Sequence, residues 1–385
     1  MAIDVSSLAF GVDVGISLYF RRLIESLIAQ DESLELRLLY PQQRTPDADA
    51  LLDALQGPRV EVRMAGAGHR RLPRRSPHWL PWQTTVSKLV GDVDVFHSGD
   101  GGFPRGRAIP VVATVFDLTP RLFPEYHTRL NRLYYSRRFR WLANRANRIL
   151  AISDATKRDF CRLYDYPADR VDVTLLARGH APQPVDSSRR LAALRAEHRL
   201  GDAPYVLSVG TLEPRKNHLR LIHAFERGAA AHDAHLVLAG KHGWMWGPIV
   251  QAVQESRFQS RIHVLGAVSE QDLVALYAGA SAFAYPSLYE GFGLPVLEAM
   301  AAGAPVLASN VSSLPEVAGE AAVLVDPDDE RAIADALVRL LADRPFRDEL
   351  ARRGRERERT FTWARTAEAT LASYRAAIAS HRSLV

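Results

Sequence analysis

Two carboxylates bracket the stretch of this chain best suited to chemistry, Tyr285-Pro286-Ser287-Leu288-Tyr289-Glu290-Gly291-Phe292-Gly293-Leu294-Pro295-Val296-Leu297-Glu298. An apolar run ends at Pro286, two glycines follow, and a helical pattern opens with Pro295 at its first turn and Gly303 past its end. Glycines ahead of a helix let the backbone approach a ligand closely, and the free N–H groups of the first turn favour phosphate. Glu290 and Glu298 can each accept hydrogen bonds from paired hydroxyls, as ribose and hexose rings offer. An early helical glutamate also stabilises the helix dipole. Two carboxylates around one glycine loop point to a site more strongly than either alone.

A second stretch, Ser208-Val209-Gly210-Thr211-Leu212-Glu213-Pro214-Arg215-Lys216-Asn217, follows an apolar run and precedes a helical pattern. Adjacent cations at Arg215 and Lys216 would neutralise a diphosphate and hold a leaving group whose charge grows as its bond breaks. Arg can fork onto phosphate oxygens while Lys acts as a point charge. A solvated turn is the alternative for either cation taken alone.

The elements that must position these residues alternate. In the C-terminal half, strands are expected at Tyr205–Val209, Leu236–Ala239, Ile262–Leu265, Ser281–Tyr285 and Pro305–Ala308. Helices are expected at His218–Ala231, Pro248–Glu255, from Ser269 to Tyr277, and at Pro295–Ala302. Ser269-Glu270-Gln271-Asp272 carries a capping-box pattern. Such alternation means βαβ units and a parallel sheet, whose ligands sit beyond the carboxyl ends of the strands. In the N-terminal half the expected strands are Ile3–Leu8, Leu34–Tyr40, Val60–Arg63, Val93–His97, Val111–Phe116, Arg148–Ile152 and Val171–Leu175. Its clearest helices run from Gly15 to Ala29 and from Tyr126 to Asn147, and a further helical pattern covers Phe361–Ile378.

At 385 residues the chain has room for two domains. Its polar stretch Gly179–Asp202 marks their junction. The expected division is 1–178, a linker at 179–202, 203–360, and a final helix at 361–385. A net charge of +5 leaves nucleotide phosphates, anionic lipid and nucleic acid open as partners. One cysteine, Cys161, excludes a disulfide framework within the chain. No apolar run reaches the roughly 18 residues of a membrane span. The first residues enter a strand pattern without a signal-peptide layout, so a cytoplasmic location is expected.

Asp92-Val93-Asp94 spells D-x-D, but it brackets a strand start, where surface aspartates are ordinary. Asp326-Pro327-Asp328-Asp329 precedes a helical pattern and reads as capping. No G-x-G-x-x-G follows a strand, which counts against a dinucleotide oxidoreductase. Residues 121–148 carry eight arginines among Tyr134, Tyr135, Phe139 and Trp141. A basic amphipathic helix can lie on an anionic bilayer, and a core-packed helix with a solvated basic face fits the same pattern. Nothing else suggests a nucleic-acid reading module, so no nucleic-acid partner is expected.

Taken together, Glu290 and Glu298 joined by GFGLPVL resemble the E-x7-E signature of retaining glycosyltransferases of family GT4, which have the GT-B fold. VGTLEPRKN, LVLAGKHGW (236–244), HVLGAVSEQDLVALYAGA (263–280) and ASNVSSLPEVAGEAA (308–322) are similar to the C-terminal domain of that family. The resemblance covers nearly all of residues 203–330 in order. It implies two Rossmann-like doubly wound domains, the first for acceptor and the second for a nucleotide-sugar donor, with the final helix crossing back to the first.

By this resemblance Arg215 and Lys216 bind the pyrophosphate, with Gly210 at the start of their loop. The backbone of Gly291, Phe292, Gly293 and Leu294 takes the phosphate, Glu298 the ribose, Glu290 the donor sugar, and Gly266 lies beside the base. The GKHGW form from Gly240 to Trp244, with SNVSSLPE, looks most like bacterial mannosyltransferases using GDP-mannose. A GDP- or UDP-sugar donor, no metal, and a glycan, lipid-linked or small-molecule acceptor are implied.

In the N-terminal half, Gly15, Ile16 and Tyr19 match the family's glycine loop, whereas Ser17 and Leu18 replace its second glycine and arginine. Asp94-Val95-Phe96-His97 is similar to a family strand end, Arg148–Phe160 to a strand-and-helix pair of the family, and Phe116-Asp117 stands where many members have His-Asp. His97 is therefore expected on the acceptor side with Gly15, and Asp117 to orient the acceptor or act as its base. The family implies retention. No convincing far-face carboxylate is present for a double displacement, so front-face attack is the expected route. A sugar-nucleotide epimerase on the same scaffold and a non-catalytic sugar-nucleotide-binding protein are the alternatives.

Overall fold

The structure is a computed structural model that describes residues 1–10, 15–40, 46–64, 85–99, 106–179, 187–228 and 232–383. The chain divides into two units, Met1–Gly179 with Thr362–Val385, and His180–Phe361.

Unit 1 runs β1 (Ala2–Asp4), α1 (Gly15–Gln30), β2 (Leu36–Tyr40), α2 (Pro46–Leu55), β3 (Val60–Met64), α3 (Val86–Val90), β4 (Phe96–Ser98), β5 (Val111–Val115), α4 (Thr119–Leu122), α5 (Arg129–Arg145), β6 (Arg148–Ala151), α6 (Asp154–Tyr164) and β7 (Val171–Val173). Its strands form one parallel sheet in the order β3-β2-β1-β4-β5-β6-β7. The strand expected over Ile3–Leu8 stops at Asp4, because the Asp4 carboxylate accepts the Ser6 N–H at 3.1 Å and turns the chain into a short 3-10 segment, Ser6–Phe10. The expected strand Val93–His97 is instead Phe96–Ser98. The expected helix from Tyr126 begins at Arg129, where the Thr128 side chain caps it by accepting the Asn131 N–H. Cys161 packs against the aromatic and aliphatic core between α5, α6 and the sheet.

Unit 2 comprises α7 (Ser187–Glu197), β8 (Tyr205–Val209), α8 (His218–Arg227), β9 (His235–Ala239), α9 (Gly247–Glu255), β10 (Ile262–Gly266), α10 (Glu270–Gly279), β11 (Ala282–Tyr285), α11 (Leu294–Ala302), β12 (Val306–Ser309), α12 (Leu314–Ala318), β13 (Ala322–Val325), α13 (Glu330–Ala342) and α14 (Arg344–Glu358). The expected helix His218–Ala231 ends at Arg227, and residues 229–231 lie outside the described residues. Residues 187–197, which composition assigns to a linker, form α7. Their polarity belongs to an exposed face, while Leu194 is buried and Arg190 pairs with Asp272 of α10. Ser269 caps α10 by accepting the Asp272 N–H, and Asp329 caps α13 by accepting the Ala332 N–H.

The sheet of unit 2 is parallel throughout, in the order β10-β9-β8-β11-β12-β13. Strand direction and order therefore place a switch point between β8 and β11, where such sheets open a ligand crevice. On one face Val206, Leu236, Leu238, Ala282 and Ala284 pack against Leu221 and Phe225 of α8, Ile249 of α9 and Ile333 and Leu337 of α13. Burying each such side chain contributes roughly 1.5–3 kcal/mol. On the other face Phe283 meets Tyr277 of α10 edge-on at 5.3 Å, and Tyr205 Oη donates to the Leu276 carbonyl at 2.6 Å. One face thus carries α8, α9 and α13, the other α10.

The final helix, α15 (Trp363–Arg382), belongs to unit 1. Its Thr362 side chain accepts the Arg365 N–H, Trp363 Nε1 donates to the Arg178 carbonyl at 2.9 Å, and Thr366 Oγ1 donates to the Leu175 carbonyl at 2.6 Å. Among the described residues no helix is long and apolar enough to cross a membrane.

Candidate active site

The two stretches singled out by sequence meet at the switch point of unit 2. After β8 the chain passes Gly210 and makes a 3-10 turn, Pro214–Lys216. Asn217 follows with φ 61° and donates its amide to the carbonyls of Pro286 and Pro327 at 3.0 and 2.8 Å, tying the loops after β8, β11 and β13 together. The Leu288 N–H donates to the Arg215 carbonyl at 2.9 Å. These backbone ties fix where the cations stand.

Lys216 Nζ lies 2.7 Å from Glu290 Oε1 and donates to Tyr285 Oη at 2.5 Å, with the ring centroid 4.8 Å away. Arg215 Nη1 lies 2.9 Å from Glu290 Oε2 and donates to the Tyr289 carbonyl at 2.7 Å, while Nη2 lies 2.6 Å from Glu213 Oε1. All four charged side chains are at most 15% exposed, so water screens them little. Burial alone would raise the Glu290 carboxyl, but Arg215 and Lys216 outweigh it and hold the pKa down to about 2. Burial lowers the Lys216 ammonium against the opposing pull of Glu290, and raises the Glu213 carboxyl despite Arg215. Two cations face two carboxylates, and the cluster is balanced without ligand.

The glycine loop is fastened from the far side by hydroxyls. Ser312 Oγ accepts the Glu290 N–H at 3.0 Å, and Ser313 Oγ lies within hydrogen-bonding distance of the Glu290 and Phe292 carbonyls, at 2.9 and 2.6 Å. Gly293 caps α11 with φ 116°, where a side chain would be strained and would press on Leu314. The first turn of α11, with Pro295 in it, leaves N–H groups without helical acceptors. Glu298 lies one turn further along and accepts the Tyr277 hydroxyl of α10 at 3.1 Å. It therefore sits on the α10 side of the crevice.

The carboxyl ends of the next strands close up through glycines. The Gly210 N–H donates to the Ala239 carbonyl at 3.0 Å and the Gly240 N–H to the Gly266 carbonyl at 2.8 Å. A Cβ at Gly240 would overlap the Gly210 carbonyl oxygen. Gly266, with φ 71°, faces open space. The structure thus brings together Arg215, Lys216, Glu290 and the Gly291–Leu294 loop, with Gly210 against Lys216 and Gly240 stacked on Gly210. Glu213, Asn217, Tyr285, Ser312 and Ser313 were not singled out as site residues. Their signal in the sequence is only a carboxylate, hydroxyls and an amide inside the stretches quoted above.

Gly15, His97 and Asp117 belong to unit 1. Gly15 is exposed at the first residue of α1 with φ 51°; its preceding Val14 lies outside the described residues. Asp117 Oδ1 accepts both the N–H and the hydroxyl of Thr119, at 3.0 and 2.7 Å, and so opens α4. His97, expected on the acceptor side, is wholly buried, with Nδ1 2.7 Å from Tyr374 Oη and Nε2 2.8 Å from Thr114 Oγ1. Both ring nitrogens are engaged, and burial pushes its pKa down to about 3. Thr114 in turn meets Tyr19 Oη at 3.0 Å, and Phe116 stands edge-on to Tyr19 with centroids 5.0 Å apart. Phe116 therefore takes part in an aromatic cluster. Asp92 and Asp94 are exposed, and among the described residues no three His, Cys, Asp or Glu side chains converge as a metal site.

Solved structures share this architecture from end to end. Sucrose-phosphate synthase from Thermosynechococcus elongatus superposes with TM-score 0.70 at 22% identity over 98% of this chain and 99% of that one. Anabaena HepE in complex with UDP and glucose gives 0.68 at 17% identity, over 96% and 98%. At these identities the likeness is one of fold. Two parallel, doubly wound units of this kind define the GT-B class of glycosyltransferases.

Residues 15–175 match the family described as Glycosyltransferase Family 4, and residues 192–357 match Glycosyl transferases group 1. The chain is 35% identical over 284 residues to O-antigen chain mannosyltransferase B of Escherichia coli, across 73% of this chain and 74% of that protein. It is also 35% identical over 235 residues to the serotype-specific mannosyltransferase WbdA of Escherichia coli, across 60% of this chain but 29% of that longer protein. The chain belongs to glycosyltransferase family 4, and it is a glycosyltransferase.

Proposed function

We propose that the protein transfers a hexose, with mannose favoured, from a GDP- or UDP-sugar to a hydroxyl of a glycan or lipid-linked acceptor, with retention of anomeric configuration and without metal. The observation that carries the reading is the buried cluster of Arg215, Lys216 and Glu290 at the mouth of the glycine loop. A diphosphate arriving there would bring negative charge to two cations that already lie side by side, and to the N–H groups that open α11. Arg215 offers a fork, Lys216 a point charge, and both would stabilise the departing diphosphate as its bond to the sugar breaks.

Glu290 stays ionised across the physiological range, so it would serve as an acceptor for sugar hydroxyls rather than a proton donor. Front-face attack then requires the acceptor hydroxyl and the leaving diphosphate on one side of the sugar, which makes positioning the main task of the protein. Asp117 is the proposed acceptor-side carboxylate. The names of the mannosyltransferase relatives support mannose as the sugar transferred.

Calorimetric titration with GDP-, UDP- and dTDP-sugars, repeated on Lys216→Ala, tests the donor site, and NMR of the product anomer tests retention. An unchanged affinity of Lys216→Ala for the preferred donor overturns the assignment, as does an inverted product.

A specific observation also favours peripheral association with the cytoplasmic face of a membrane. On α5, Leu130 and Leu133 are 79% and 50% exposed, and Arg129, Arg132, Arg137 and Arg140 are exposed around them. Leucines held out in water among cations suit the headgroup region of an anionic bilayer.

A further inference from the structure

The α8–α9 face of unit 2 carries a surface that the donor site does not use. After β9 the chain continues beside the cation loop: the Leu212 N–H donates to the Lys241 carbonyl at 3.0 Å, and the Gly243 N–H donates to the Leu212 carbonyl at 3.1 Å. A Cβ at Gly243 would crowd Thr211 and reach the Glu213 side chain, which pairs with Arg215. The next residues, Trp244, Met245 and Trp246, are 43%, 58% and 37% exposed. The His242 ring stacks on Trp246 with centroids 4.1 Å apart and planes 14° from parallel. Two exposed indoles on one short loop are unusual outside binding surfaces.

This loop runs straight into a groove. Trp246 caps α9, and Pro248 two residues on lines a cleft of about 220 Å³ together with Leu219, Gln251 and Ala252. Through His223, Glu226 and Glu255 the cleft continues into a polar hollow of about 630 Å³, where Arg227 and Glu330 also stand. The Gln251 amide donates to Glu255 at 2.8 Å, and Arg227 pairs with Glu330 at 3.3 Å. The groove itself offers an amide, an imidazole and several carboxylates, and the loop that leads to it offers exposed indoles; these are groups that recognise sugar rings, whose C–H faces stack and whose hydroxyls donate.

Charge and position select among occupants. Three carboxylates, Glu226, Glu255 and Glu330, stand against two guanidiniums, Arg227 and Arg257, so the hollow is nearly balanced in charge and a neutral ligand is favoured over a polyanion. The nucleoside of the donor does not reach the groove in this reading: Glu298, its proposed ribose contact, lies on the α10 face of the sheet, and α8 and α9 pack on the opposite face.

We propose that the Trp244–Trp246 loop and the α8–α9 groove form a remote subsite for an uncharged hexose oligosaccharide, the growing part of the acceptor glycan. This rests on the transferase reading above. The loop's direct tie to the cation turn places the subsite's entrance beside the donor end of the same sheet edge.

The test uses the full chain, titrated by calorimetry and tryptophan fluorescence with mannose and glucose oligosaccharides of increasing length, and with a sulfated oligosaccharide as the anionic arm. Trp244→Ala, Trp246→Ala and Gln251→Ala are compared with Trp246→Phe, which keeps a stacking face. The expected result is affinity that grows with length, weakened about tenfold in each tryptophan-to-alanine variant and largely retained in Trp246→Phe. Unchanged oligosaccharide affinity in both alanine variants, tighter binding of the sulfated arm, or no binding by the parent chain overturns the proposal. Donor titrations on the same proteins separate the two readings. Intact oligosaccharide effects without nucleotide-sugar binding sink the donor assignment alone, and the converse sinks the subsite alone.

Discussion

The Lys216 ammonium and the Glu290 carboxylate meet at 2.7 Å although 74 residues of chain separate them. The contact joins the loop after β8 to the loop after β11, and Arg215 closes it from the other carboxylate oxygen at 2.9 Å. Removing one partner of a buried pair leaves the other in a poor environment. Lys216→Ala is expected to lower kcat/KM about 10²–10³-fold, because the lost charge matters most as the diphosphate departs. Steady-state kinetics check this; a rise in donor KM with kcat unchanged would mean that Lys216 holds the donor equally in ground and transition states rather than favouring the departing diphosphate.

Gly240 after β9 and Gly266 at the end of β10 give a graded expectation. Gly240→Ala pushes a methyl into the Gly210 carbonyl oxygen, backbone that cannot yield without shifting the cation loop. A loss of about 1–3 kcal/mol in stability, with weakened donor binding, is expected. Gly266→Ala meets open space and bears only the strain of φ 71°, about 1 kcal/mol. Denaturant melts of the two variants, compared at one pH, should rank them in that order.

Much of this site was readable from residue order, because a strand, a glycine loop and a helix with proline in its first turn are local signals. The pairing of Glu290 with both cations was not, since it depends on β8 and β11 lying side by side. Ser312 and Ser313 escaped for the same reason: their hydroxyls hold the glycine loop from a segment after β12. In unit 1, His97 at a strand's carboxyl end invited a ligand role. Its partner Tyr374 could not be read beside it, since it comes from α15 at the far end of the chain to meet Nδ1. Similarly, the polar composition of residues 187–197 concealed α7, whose single buried leucine gives little periodicity to read.

The exposed leucines of α5 carry a separate expectation. Leu130→Ser with Leu133→Ser should reduce co-sedimentation with phosphatidylglycerol vesicles several-fold, while folding stability shifts by no more than about 0.5 kcal/mol. Vesicles of phosphatidylcholine alone should bind neither protein. Equal binding of parent and variant to the anionic vesicles would remove α5 from any membrane role.

Acid should unfold the protein in two overlapping windows set by different groups. His97 and His218 are buried, and desolvation takes each pKa from 6.5 to about 3, with Lys216 adding to the fall at His218. Between pH 6.5 and about 3 the unfolded chain binds protons at these histidines that the folded chain does not, so stability must fall as the pH falls. Glu290 acts lower down. Its carboxyl is held at about 2 against an ordinary 4.5, so its contribution is whole above pH 4.5 and drains away as the pH drops toward 2. His97→Gln, whose amide can still meet Tyr374 and Thr114, should reduce the slope of the stability profile in the upper window by about half, His218 supplying the rest, while leaving the lower one. Glu290→Gln should do the reverse. Urea midpoints taken from pH 7.5 to 2 distinguish them, and a His97→Gln profile parallel to the parent's would show that this imidazole takes up protons equally in the folded and unfolded chain.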